Sequence, residues 1–391
     1  MKRILRDERG MALAVAIFAL VVVGALVAGA FFAGTQEQRV GENQRRVQTS
    51  FGVAEAGAQA RVLTWVPATM NKRPLYCPCP AGDSVLIPDT PAPSGSGSYG
   101  GASYKLGPNI FLIDVTGRDK ASAAGAIAGG GGARQRIGLI TRIAPVQFGI
   151  AASLTTQGGV SLQGNANVNG ADQIPTGWTS CDPPGVAMPG IRDNGGNVTT
   201  GGNGNVVGNP AVVNDPTLDN TDFTQFGGAT YAQMTARATI TLPSGNYTTQ
   251  PVLNGAGDCD NTVLTNWGDG QNPGSKCADY FPIIHIAGSA TLNGDQGQGI
   301  LLVDGDLNVQ GSYQFFGIVI IQGDLKTAGG GSTDAHFWGG VMAKNADLSI
   351  QNLSGKATLN YSSCSINAVL QATSQISAMR SRGWVQLYYV A

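Results

Sequence analysis

Charge is scarce in this chain: only 13% of its 391 residues are Asp, Glu, Lys or Arg, and 24 basic against 25 acidic side chains leave a formal net charge of −1. So even a balance raises no basic field, and nucleic acid is not an expected partner. Histidine is scarcer still. Only His285 and His336 are present, which argues against His-rich metal sites and against a hydrolytic triad. Proline is missing from Met1 to Val66, so no ring interrupts helix hydrogen bonding there. What the chain has in quantity is glycine, 57 residues, the mark of many tight turns. Its length allows two or three folded units.

The start of the chain concentrates the little charge it has. Lys2, Arg3, Arg6 and Arg9, offset by Asp7 and Glu8, precede an uncharged apolar run from Met11 to Phe32. As a helix that run covers about 33 Å, enough for the bilayer core. The Lys/Arg excess on its flank predicts that this end stays in the cytoplasm and that the remainder is exported. A cleaved secretory leader has a shorter apolar core and a small-x-small site. Here helical spacing continues instead through Val40, Val47, Phe51, Ala54, Ala58 and Val62, which predicts one helix from Met11 to about Thr64, apolar in its first half and amphipathic in its second.

The basic leader ending in Arg9-Gly10, the following Met-Ala-Leu, the amphipathic EQRVGENQRR and the FGVAEAGAQ stretch resemble the amino terminus of type IV pilins and pseudopilins, PilX-type minor pilins in particular. The resemblance covers residues 1–65. It implies that a prepilin peptidase cuts after Gly10 and that Met11 becomes the N-methylated first residue. The helix is then kept as anchor and filament core. Most major pilins carry a glutamate at the fifth mature position, where it neutralises a neighbour's amino terminus; here that position is Val15. A tip subunit has no neighbour above it to neutralise, and an unpaired carboxylate in hydrocarbon is costly. Val15 therefore points to a minor, tip or initiating subunit.

Beyond the helix (11–66), residues 67–147 are rich in Pro, Gly and Ser. They are expected to hold a small sheet, with one strand in SYKLGPNIFLIDVTGRD and another in RQRIGLITRIAPV. From Phe148 the pattern changes to short alternating apolar pieces broken by Gly and Asn. Asp306, Asp324 and Asp347 each follow an apolar run at steps of about 20 residues, a repeat spacing that predicts stacked coils. The expected class is α+β: a long amino-terminal helix, then a mainly β region with a parallel β-helix over 148–370, a β-sandwich being the alternative. Ile300, Leu302, Leu307, Val309, Ile318, Ile320, Leu325, Val341, Leu348 and Ile350 are expected to share one buried column. Residues 171–280 read as a loop-rich insertion, and 371–391 as a carboxy-terminal segment.

The six cysteines all follow the apolar run, where export makes disulfides the default. A Cys259–Cys277 bridge closes a short loop and contributes about 3 kcal/mol in the chain-entropy treatment. Cys77 and Cys79 are too close in sequence to bridge each other comfortably. Pairing of these two with Cys181 and Cys364 is therefore expected, in an order left open. His285 and His336 read as structural, and Asp304, Asp306, Asp324 and Asp347 as turn residues. Asp258, Asp260 and Asp269 offer oxygen ligands to Ca²⁺, but their spacing is not that of an EF-hand loop and turn formation is the favoured role. No cofactor is expected.

The resemblance implies a non-enzymatic subunit of a type IV pilus-like filament, with an assembly or adhesion role. Its partners would be other pilins or pseudopilins, the prepilin peptidase and an inner-membrane assembly platform. It would span the inner membrane once, with a periplasmic domain that reaches the cell surface after assembly. The alternatives are a membrane-anchored β-helix enzyme acting on extracellular polysaccharide and a cell-envelope scaffold.

Overall fold

The structure is a computed structural model; it describes residues 9–76, 83–120, 132–143, 146, 148–179, 181, 184–328, 334–348, 356–381 and 383–387. The chain divides into two units, one of residues 1–64, 74–142 and 378–391, the other of 65–73 and 143–377. Unbroken by proline, helix α1 runs continuously over Arg9–Leu63. In the first unit its second half packs on an antiparallel sheet of β1 (Ser84–Pro91), β2 (Gly97–Gly107), β3 (Ile110–Asp119) and β4 (Arg134–Ile143). The strand Trp384–Leu387 adds to β4 antiparallel.

The stretch expected as a single strand from Ser103 to Asp119 is instead a hairpin. The chain reverses between Gly107 and Ile110, so that Tyr104 pairs with Leu112 and Tyr99 with Gly117. The Gly-Pro-Asn turn chemistry inside the apolar pattern is what breaks it. Phe111, Ile113, Val115, Ile137 and Leu139 point from β3 and β4 into the core beneath α1.

In the second unit the long ladders are parallel. Ile240, Ile284, Leu301, Val319, Val341, Leu154 and Ile191 follow one another in register along one ladder. A second runs through Ala290, Leu307, Leu325, Ala346, Val160 and Val198. A third carries Phe315, Phe337, Leu359, Val168 and Val206. These side chains meet in one core. Antiparallel sandwich pairing is not what these ladders make.

Order along the ladder is not order along the chain. Leu154 lies beside Val341, and Ile191 and Val212 continue outward from it, while Ile240 starts the far end. The segment 171–280, expected as surface loops, therefore supplies strands at both ends of the ladder, Ile191–Asp193 to Val212–Asn214 at one and Ile240–Thr249 at the other. Those strands were hidden because most are only three residues long.

The expected single column is two clusters. Leu307, Val309, Leu325, Val341 and Leu348 lie in the core between ladders, but Ile300, Leu302, Ile318 and Ile320 face the other way. There they are covered by Ile366 and Val369 of the helix Ser363–Thr373 and by Phe223, Phe226 and Met234. Covered on both faces, Gln296–Val303 is buried throughout and shows no alternation. Ile350 lies outside the described residues.

Candidate functional site

Helix α1 carries the residues on which the resemblance rests. Arg9, Gly10 and Met11 are in its first turn, and the residues before Arg9, expected as a leader, lie outside the described residues. From Leu13 to Phe32 every side chain is exposed, Phe18 at 71% and Val15 at 64%. The most apolar window of the helix has a mean hydropathy of 2.8 with none of it buried, so the helix is long and apolar enough to cross a membrane. An uncovered apolar surface of this length is stable only in lipid or against other apolar helices.

The second half is built differently. Ser50, Val53, Ala54 and Ala58 are buried against the sheet. A side chain at Gly117 of β3 would run into the Ser50 carbonyl oxygen and the Ala54 amide, so only glycine permits this approach. Gly57, in the Ala-Glu-Ala-Gly element, gives the same close passage to the Tyr99 ring. Arg61 Nε donates to Ser103 Oγ at 3.1 Å, and burial pulls the Arg61 guanidinium below its ordinary value. In the sheet, the buried Asp114 carboxylate takes a forked contact from Arg136, Nε to Oδ1 at 2.9 Å, a geometry Lys cannot supply.

The second unit assembles one group of titratable side chains that sequence left apart. His285 Nε2 lies 3.0 Å from Asp304 Oδ2, and Tyr231 donates its hydroxyl to Asp304 Oδ1 at 2.9 Å. Burial and then the Asp304 carboxylate push the Tyr231 hydroxyl far above its ordinary range. The tyrosine is held as a proton donor, and the group tethers the short helix Tyr231–Thr235 to the strand Ile283–Gly294. His336 sits two residues before Trp338, on the strand whose Trp338 ring is parallel to that of Phe316 with centroids 6.4 Å apart.

Asp306 and Asp324 do stack: the Asp324 amide donates to Asp306 Oδ1 at 2.9 Å, 18 residues apart. The next rung is 21 residues on, where Asn345 Nδ2 donates to Asp324 Oδ1 at 2.8 Å. Asp347 is therefore out of line with the other two; it pairs with Lys326 in the backbone register. The apolar runs, not the acids, set the register, and the inserted residues between rungs displaced the alignment by two positions.

The calcium candidates are not brought together. Asp258 faces Lys276 at 3.9 Å, Asp260 accepts from the Thr262 amide and hydroxyl, and Asp269 is buried under Gln296 and Asn272. Among the described residues no group of three or more His, Cys, Asp or Glu side chains is placed to hold a metal. Cys259 is bonded to Cys277, with Cα atoms 4.9 Å apart. Cys181 and Cys364, each expected to pair with Cys77 or Cys79, are bonded to each other across 183 residues. The parallel stack brings them together although the chain holds them far apart. Cys77 and Cys79 lie outside the described residues.

Comparison with known proteins adds little to these residues. No protein-family model matches the chain, and no curated protein does. Among solved structures it is similar to the competence-associated pilin ComZ from Thermus thermophilus, at 14% identity over 88% of this chain and 98% of that one, with a TM-score of 0.26. A score that low carries no argument.

Sequence reasoning also missed the interior of the disulfide loop. Asn266 and Trp267 are fully buried within it, and Asn266 Nδ2 donates to the carbonyl oxygens of Val252 at 3.0 Å and Asp260 at 2.9 Å. The only hint was a tryptophan amid Asn, Asp and Gly, a large apolar body that seldom stays in solvent without cause.

Proposed function

We propose that this protein is a non-enzymatic minor pilin or pseudopilin, a tip or initiating subunit of a type IV pilus-like filament. What supports the reading above all is α1 itself, one uninterrupted helix whose exposed apolar half follows Arg9-Gly10 and whose other half carries a small antiparallel sheet. On this reading the prepilin peptidase removes residues 1–10 and methylates Met11, and the amino terminus faces the cytoplasm. An inner-membrane platform then passes the helix into a filament of other pilins. The second unit, read as a parallel β-helix with rungs added out of chain order, is its periplasmic and later surface-displayed part. The PilX-type likeness of the first 65 residues and the hydrocarbon at Val15 favour a minor place over a bulk one.

The mature amino terminus tests this directly. Mass spectrometry of the protein from its native membrane is expected to find a chain beginning at N-methylated Met11, and Gly10→Val to retain the leader. A mature chain beginning elsewhere in the wild-type protein would overturn the reading.

A further inference from the structure

At the corner of the stack where the strand Ile240–Thr249 ends, separate stretches of chain converge on a pocket of about 410 Å³. Gln250 comes from the end of that strand, Gln271 and Asn272 from the disulfide-closed loop, Asp295 from the bend before the next strand, and Ser312 and Gln314 from the rung beyond.

The floor of this pocket is built. Gln296 is 3% exposed; its Nε2 donates to Asp269 Oδ1 at 2.7 Å and its Oε1 accepts from the Gln271 amide at 2.8 Å. The same Asp269 oxygen takes the amide of Asn272 at 3.2 Å and its Nδ2 at 2.9 Å, and Gln271 Nε2 donates to the Asp295 carbonyl oxygen at 3.2 Å. Both Gln296 and Asp269 are thus spent on holding the loop to the stack, and the Cys259–Cys277 bond closes it from behind. A wall fixed before the ligand arrives spares the ordering cost of binding.

The lining defines the ligand. Among the described residues that line it, Pro251 is the one apolar side chain and none is Lys, Arg or His. An anion finds no counter-charge there, and an apolar body finds no surface. Carboxamides, a hydroxyl and one carboxylate remain, each presenting donors or acceptors at the short spacing of vicinal hydroxyl groups. We infer that this pocket binds an uncharged polyhydroxylated ligand, a neutral saccharide unit. The volume suits one, lying within the roughly 300–1,000 Å³ of small-molecule sites. On the following rung His336 stands in register with Gln314 and the partly exposed Trp338 with Phe316. A longer saccharide leaving the pocket along the stack therefore meets a polar ring and then an aromatic one.

Binding is read on the isolated chain, so it stands or falls separately from filament assembly. The full protein is purified in a zwitterionic detergent without a sugar headgroup and placed on an array of neutral and acidic glycans; saturation-transfer NMR then follows maltose and N,N′-diacetylchitobiose as soluble probes. Neutral glycans are expected to bind. Gln314→Ala and Asp295→Asn are expected to weaken the best of them by roughly tenfold each, the loss of one hydrogen bond to a ligand. Asn345→Ala, on another face of the stack, is expected to leave binding unchanged, and thermal melting checks that each variant folds. Should Gln314→Ala not fold, Gln250→Ala at an exposed position replaces it. Preference for acidic glycans, absence of any neutral binder, or full binding by both folded pocket variants would overturn the proposal.

Discussion

Asp193 ends a short rung with its carboxyl turned inward, 2% exposed and in register with Thr156. Amide hydrogen bonds from its own residue and Gly196 hold the carboxyl down, but burial outweighs them and pushes it above its ordinary value. The buried Oδ1 has no hydrogen-bond partner. A carboxyl raised in the folded state is ionised first in the unfolded chain as pH climbs, so stability is lost between the ordinary value and the raised one and does not return above it. Asp193→Asn is therefore expected to melt above the wild-type protein at pH 7, and the difference is expected to shrink as pH falls towards 3. Melting curves taken across that range check it; a difference independent of pH would mean that the carboxyl is not strained by burial. Arg192, one residue earlier, meets the opposite case: it points outward, where Thr217 and then Arg192 hold the half-buried Asp215 carboxyl down at about 2. Neighbours on one strand meet opposite electrostatics because the pleat sends them to opposite faces.

Among the elements, those with sustained periodicity were legible in the sequence and those defined by a corner were not. The length of α1 and the position of β4 followed from spacing alone. The ladders of the second unit were visible as repeats, yet Ile300 and Ile318 were assigned to the wrong side, because a strand covered on both faces shows no alternation from which to read a side. What turns each of these strands is a ladder of glycines. Gly299, Gly317 and Gly339 stand in register with φ of 114°, 139° and 143°, a region L-residues seldom enter. A side chain at Gly317 would meet the Gly299 carbonyl oxygen and, at 2.8 Å, Val369 of the helix that covers this face. Gly317→Ala is expected to cost about 2–4 kcal/mol from backbone strain and overpacking together. Denaturant unfolding measures this, and a loss below about 0.5 kcal/mol would mean that the corner is more pliable than its φ values imply.

At the scale of the whole molecule, the chemistry-bearing parts were legible in unequal measure. Gly10-Met11, the junction proposed for processing, and Val15 are local in sequence; the Cys181–Cys364 bond and the polar pocket join residues far apart in the chain, and no spacing rule reaches them. On the pilin reading proposed above, filament position belongs to this scale as well, and it turns on Val15. A subunit within the shaft needs an acid to meet a neighbour's amino terminus in hydrocarbon, since either charge left alone there is costly. This chain offers Val15, an exposed hydrocarbon on α1, and so it fits best where no such neighbour exists. An epitope tag in the exposed turn at Gly255–Gly257 of the second unit is therefore expected to label filament ends under immunogold microscopy, with the shaft unlabelled. Deleting the protein is expected to lower the number of filaments rather than their thickness, because an initiating subunit is needed once per filament. Labels spaced along the shaft would move the protein from the tip into the body of the filament. They would also require some group other than a carboxylate at residue 15 to neutralise the buried amino terminus.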